Sequence, residues 1–222
     1  MEKELKEAFK KIHTIAIYGD IGTGKTSLAY WILNNLKDKP IYFLRHPKPK
    51  LIEKLGYKNL HNIQLMETTE NIILYLDEPQ LLLSINDHKT NSIIARICSL
   101  ARQRNITLII SSSDTRVFTK YNEAYFDIWL IKDVDFSMVK NGSKIKYAIK
   151  NYCQIDPTGF RLDKNEFLFH SRKFPELCDR KFTFSKPNCF TEEHSKPYKN
   201  SDKNSPKIPN KITSVKKVEE DE

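Results

Sequence analysis

Gly19-Asp20-Ile21-Gly22-Thr23-Gly24-Lys25-Thr26 is the stretch on which the reading of this chain turns. It matches G-x-x-x-x-G-K-[ST] in full, and its flanks give the match a structural meaning. Thr14-Ile15-Ala16-Ile17-Tyr18 ahead of it is β-branched and apolar, as a buried parallel strand must be. Ser27 to Leu33 continues as an amphipathic helix. Strand, glycine-rich loop and helix in that order make a phosphate cradle. Glycines let backbone amides close around phosphate oxygens at a helix N-terminus, where the partial positive charge favours an anion. Gly19, Asp20, Ile21, Gly22, Thr23, Gly24 and Ser27 are expected to line a nucleoside triphosphate site. Lys25 is expected to reach the β- and γ-phosphates, and the Thr26 hydroxyl to hold Mg²⁺.

A second apolar run, Ile72-Ile73-Leu74-Tyr75-Leu76, leads directly into Asp77-Glu78. An acidic pair at the end of a buried strand completes a P-loop site: Asp77 serves Mg²⁺, and Glu78 polarises the water that attacks the γ-phosphate. A strand at Ile41-Tyr42-Phe43-Leu44 falls between the two motifs in sequence, as in ATPases that insert a strand between the two motif strands in space. That disfavours nucleotide kinases and small GTPases. Ser111-Ser112-Ser113 closes the strand from Ile106 to Ile110, and Ser112 is the first choice for a hydroxyl that senses the γ-phosphate. Arg102 and Arg104 end the preceding helix, and Arg116 follows the serines. One of them is a candidate to reach across a subunit boundary, against the simpler role of a cation at a helix C-terminus.

Around these motifs, strands and helices alternate. Leu5, Ala8, Phe9 and Ile12 repeat at helical spacing over 2–12, and a short helix is expected around Leu51–Leu55. A long helix is expected over 87–105, and a fifth strand over Phe126–Ile131. Ile145–Ile149 reads as a further strand behind the Asn141-Gly142 turn. The rhythm predicts an α/β fold, and with the two motifs it resembles the three-layer P-loop NTPases of the RecA-like (ASCE) type. Its mostly parallel central sheet has helices on both faces, and a small β-containing C-terminal extension follows, with strands around Phe167–Phe169 and Phe182–Phe184. Residues 1–184 form the ATPase domain, with its core at 14–131, and 185–222 a disordered polar tail ending in Glu219-Glu220-Asp221-Glu222.

Lys plus Arg total 37 against 28 Asp plus Glu, a formal charge of +9. Residues 1–150 hold 23 basic and 16 acidic side chains, so the excess, which favours a polyanionic partner, lies mainly in the ATPase domain. Lys48, Lys50, Lys54, Lys140, Lys144 and Lys146 are candidate phosphate contacts. Phe167, Phe169, Phe174, Phe182 and Phe184 alternate with Arg172, Lys173, Arg180 and Lys181, a pattern that suits base stacking but more often marks core-facing aromatics. Cys98, Cys153, Cys178 and Cys189 are widely spaced, with no C-x-x-C pair and no histidine at ligand spacing, so sequence alone indicates neither zinc nor disulfides. No apolar run approaches the ~20 residues of a membrane helix, and a cytoplasmic protein is expected, in the host cytoplasm if viral.

GDIGTGKTS, ILYLDEPQLLL and SLARQRNITLIISSSD together resemble the FtsK/HerA superfamily, and within it the viral genome-packaging ATPases and the Zot-like proteins. The resemblance spans about residues 14–131. It implies Mg²⁺-dependent hydrolysis of ATP and a ring, six-membered in such relatives, that threads double-stranded DNA. It also implies a procapsid or virion protein as partner, and a neighbour-supplied arginine from Arg102 or Arg104. Many relatives carry Gln or Asn as sensor where this chain has serine. Two alternatives stand beside it: an AAA+-type helicase loader or transposition ATPase, and a nucleotide-dependent switch with little turnover.

Overall fold

A computed structural model describes residues 3–62, 66, 68–82, 87–114, 117–118 and 122–195. The chain opens with α1 (Lys3–Lys10), β1 (Thr14–Tyr18) and α2 (Lys25–Asn35), then β2 (Ile41–Leu44), α3 (Pro49–Glu53) and β3 (Lys58–Leu60). It continues through β4 (Ile73–Asp77), α4 (Pro79–Leu82), α5 (Asp87–Gln103), β5 (Thr107–Ser112) and β6 (Ile128–Ile131). Last come α6 (Lys144–Cys153), β7 (Glu166–His170), β8 (Arg180–Thr183) and α7 (Glu192–Ser195).

The strands form one sheet in the order β3-β2-β4-β5-β1-β6-β7-β8. Pairing is parallel from β3 to β6 and antiparallel from β6 through β8. Strand residues alternate between faces, so each central strand feeds two cores. Ile15, Ile17, Ile73, Tyr75, Ile109 and Leu130 pack with α1 and α2, whereas Ala16, Leu74, Leu76, Ile110 and Trp129 pack with α5 and α6. A strand covered on both sides must be apolar throughout, which explains the unbroken runs in β1 and β4. Leu5, Ala8, Phe9 and Ile12 join the α2 layer, and Ile94, Ile97, Cys98 and Ala101 give α5 its buried stripe.

The strand inserted between the two motif strands is β5; β2 lies outside β4. The segment 145–149 is a helix and not a strand. Ser143 caps α6 by accepting from the Lys146 amide at 3.1 Å, and Ile145, Ala148 and Ile149 are buried at helical spacing. The edge strand β3, three residues long with Lys58 and Asn59 polar, has no counterpart in the sequence expectation.

Phe167, Phe169, Phe182 and Phe184 are buried and Phe174 packs against the same core, so these aromatics serve packing and not bases. Chain order also runs past the expected boundary at 185. Phe190 and His194 close on Tyr30 with ring centroids 5.2 and 5.1 Å away, because Tyr30 on α2 offers an aromatic face beside β2. The rest of the expected tail, 196–222, lies outside the described residues, as does Arg116.

Candidate active site

Parallel strands place the ends of β1, β4 and β5 along one edge of the sheet, and the loop 19–24 crosses that edge into α2. Gly22 and Gly24 sit at φ of +84° and +93°, where a Cβ is strained. A Cβ on Gly24 would also meet the Lys164 carbonyl oxygen at 2.7 Å, so this glycine answers to packing as well as to phosphate. The Lys25 ammonium donates to the carbonyls of Gly19 (2.9 Å) and Asp20 (3.0 Å) and lies 3.5 Å from Glu78 Oε1.

The Thr26 hydroxyl stands 3.5 Å from Asp77 Oδ2. The other Asp77 oxygen accepts from the Tyr75 hydroxyl at 2.9 Å and the Ser111 hydroxyl at 2.5 Å, and the two hydroxyls lie 2.8 Å apart. Asp77 pairs in register with Ser111, and Tyr75 is two residues back on the same face of β4. Burial pushes the Asp77 carboxyl up, the Ser111 hydroxyl pulls it back, and Glu78 pushes it up again, leaving it at about 6. A threonine hydroxyl and a carboxylate are the hard oxygen donors that Mg²⁺ takes, and the residues present fit that ion.

A carboxyl raised above its unfolded value of 3.8 favours folding fully only below that value, and the contribution is lost as pH rises through about 6. Asp77→Asn is therefore expected to stabilise the nucleotide-free chain at pH 8 by roughly 2–3 kcal/mol, with the gain vanishing towards pH 4. Urea unfolding at both pH values checks this, and equal gains at both would contradict it.

Glu78 has a φ of +44°, an uncommon conformation for a non-glycine residue and a mark of functional sites. Its Oε2 accepts from the Ser113 amide at 3.0 Å and from Gln80 Nε2, and lies 3.3 Å from the Ser112 hydroxyl. The Ser112 hydroxyl is also 2.9 Å from Gln80 Oε1. One oxygen of Glu78 is thus clamped while Oε1 faces Lys25.

Two residues here, Tyr75 and Lys132, escaped sequence reasoning, and Ser111, one of the three candidate serines, takes a different role from the one expected. Tyr75 and Ser111 hold Asp77, and strand alternation is the signal that marks them. Lys132, directly after β6, is fully buried, and its ammonium donates to the carbonyls of Asp163, Lys164 and Glu166 behind the loop. Burial pulls it down to about 8, against the opposing pull of Glu166. Its Cβ lies 2.5 Å from where a Cβ on Gly19 would sit, so the lysine stem backs the loop.

The arginines are elsewhere. α5 delivers the chain to the start of β5, so Arg102 and Arg104 lie at the sheet edge opposite the P-loop. Arg102 Nη2 donates to the Tyr125 carbonyl at 3.0 Å and lies 3.4 Å from Asp127 Oδ1. Burial would raise Asp127, but the Lys173 ammonium at 2.6 Å, the His13 amide and Arg102 hold it below the usual range. Both arginines thus lie away from the loop 19–24 of the same chain. No helix among the described residues is long and apolar enough to cross a membrane.

The family model described as "ATPase family associated with various cellular activities (AAA)" matches residues 15–127, just over half of the chain. No curated protein matches the sequence. The structure is similar to the genome packaging NTPase B204 from Sulfolobus turreted icosahedral virus 2. TM-scores are 0.50 with ATPγS bound and 0.51 with AMP, at 10% and 11% identity, covering 79% of this chain and 98% of that one. EssC (ATPases 2 and 3) from Geobacillus thermodenitrificans follows at a TM-score of 0.45 and 11% identity over 73% of this chain. The pCW3 conjugation coupling protein TcpA gives 0.43 and 18% over 74%. This chain spans only 38% of the EssC chain and 58% of the TcpA chain. A matched family model, a strand-loop-helix phosphate cradle and an acidic pair at the end of β4, one strand removed from β1, agree, and the chain belongs to the AAA family as a P-loop ATPase.

Proposed function

We propose that the chain is an oligomeric motor that couples Mg²⁺-dependent ATP hydrolysis to movement along double-stranded DNA, in viral genome packaging. The observation that carries the hydrolytic part is the divided Glu78 carboxylate, with Oε2 clamped by Ser113 and Gln80 and Oε1 open towards the P-loop lysine. ATP draws Lys25 from the carbonyls of Gly19 and Asp20 onto its β- and γ-phosphates, while the amides of 19–27 close around them. That move frees Glu78 Oε1 to accept a proton from the water whose oxygen bonds to the γ-phosphorus, while the bond from that phosphorus to the β-γ bridging oxygen breaks and ADP leaves with the electron pair. Thr26 and Asp77 would hold Mg²⁺, which when bound would neutralise charge on the phosphate oxygens. Ser112, hydrogen-bonded beside Glu78, senses the γ-phosphate.

Arg102 is committed to Asp127, so Arg104, exposed at the end of α5, is the one we put forward for a neighbour's site in a ring. The DNA reading draws on the charge of +9 and on the fold shared with B204. Lys144 and Lys146 are spent locally, their ammonium groups donating to the carbonyls of Glu123 and Val139, which leaves Lys48, Lys50, Lys54 and Lys140 for phosphates. Family membership also suits a helicase loader. Against it, the described residues after α6 form the β7-β8 pair and a four-residue helix, not a helical lid.

DNA binding is expected to weaken steeply with salt, with a log-log slope of about −0.9 per phosphate contacted, and Lys54→Gln to flatten that slope by about 1. Fluorescence anisotropy with a labelled duplex across a salt series measures both. Absence of binding at low salt would count against the motor and leave the ATPase intact.

A further inference from the structure

At the sheet edge remote from the P-loop, β7 ends on His170, and the turn before β8 brings Cys178 and Asp179 back against it. His170 Nδ1 lies 2.6 Å from Asp179 Oδ1 and 3.3 Å from Cys178 Sγ. The three donor atoms lie within 4.8 Å of one another. Asn151 on α6 donates to the second Asp179 oxygen at 2.9 Å, which fixes the carboxylate from behind. His170 is buried, and the trio forms part of the wall of an open cleft of about 490 Å³ that Ser143, Tyr147 and Arg172 also line.

Both the thiol and the carboxylate address the same imidazole nitrogen. A Cys-His-acid relay needs its acid and its nucleophile on opposite ring nitrogens, so this arrangement is not a nucleophile site. A single proton on Nδ1 serves the carboxylate and leaves the thiol with a weak contact. Three donors converging on one point is what a cation requires. Ligand bonds of ~2.0–2.3 Å around a tetrahedral ion would set neighbouring donors roughly 3.3–3.7 Å apart, a spreading of less than ~1 Å for the closest pair.

We infer that His170, Cys178 and Asp179 bind a zinc ion through Nδ1, Sγ and Oδ1, with the fourth position open to the cleft and filled by water. Binding expels the thiol proton to solvent and leaves the imidazole proton on Nε2. Thiolate, imidazole and carboxylate together favour zinc over the hard cations Mg²⁺ and Ca²⁺. The ion pins the end of β7 to the start of β8, and through Asn151 to α6, so it fastens the antiparallel extension to the ATPase core.

The full chain, stripped of metal and free of nucleotide, is titrated with Co²⁺ as a coloured probe and with Zn²⁺ in competition. One equivalent of Co²⁺ with a thiolate charge-transfer band, displaced by Zn²⁺, is expected. The band should vanish in Cys178→Ser and His170→Ala and persist in Cys153→Ser and Cys189→Ser. Asn151→Ala, which leaves all three ligands, should weaken affinity about 10- to 100-fold. ATP turnover reports whether each variant is folded. No thiolate band in the unmodified chain, or a band that survives Cys178→Ser, overturns the assignment, and the first result stands even if every variant fails to fold.

Discussion

Lys25→Ala is expected to remove ATP turnover, with a loss of at least ~10² in kcat, and to weaken nucleotide binding at the same time. The Lys25 side chain is only 6% exposed, and its ammonium is held by two loop carbonyls and Glu78 in the nucleotide-free chain. In the proposed mechanism it stands beside the place of the phosphates, where its charge would serve both the bound triphosphate and the charge that develops on transfer. Steady-state phosphate release and equilibrium binding of a fluorescent ATP analogue read the two effects separately. Turnover within a factor of two of the parent would contradict the role given to this residue. The fold itself should persist, because the α2 residues that pack the core are Leu28, Ala29, Ile32 and Leu33.

Glu78→Gln makes the complementary case: hydrolysis falls by about 10² to 10⁴ while ATP binding is kept. Glutamine preserves the shape and offers an acceptor to the Ser113 amide, so the clamp on one side survives. What it loses is basicity on the side facing Lys25, where the attacking water is proposed to give up its proton. A variant that binds ATP and holds it unhydrolysed is expected in a single-turnover experiment. Loss of binding together with turnover would show that Glu78 acts through Lys25 or the loop and not on water.

Much of this site is legible in the sequence because its parts are local. The P-loop carries its own backbone requirements, and the acidic pair follows an apolar run that only a doubly covered strand explains. What was not legible depends on partners far away in the chain. Ser111 and Ser112 look equivalent as letters, yet alternation along β5 sends Ser111 to Asp77 and Ser112 to the Glu78-Gln80 pair. Lys132 reads as a surface lysine until three carbonyls of the 163–166 turn are seen to receive it. The segment 145–149 misled because isoleucines behind an Asn-Gly turn look like a strand, and the deciding element was the Ser143 cap. Arg102 and Arg104 are expected to act across a subunit boundary, and it is the direction of the parallel strand β5 that puts the end of the preceding helix at the edge away from the chain's own P-loop.

The measurement that bears most directly on the account is the rate of ATP hydrolysis by the full chain with Mg²⁺, beside Glu78→Gln, each with and without linear duplex DNA. Mg²⁺-dependent turnover by the parent chain, raised by duplex DNA and lost in the variant, is the predicted result. Turnover that is absent in the parent chain under every condition, or equal in both proteins, would contradict it.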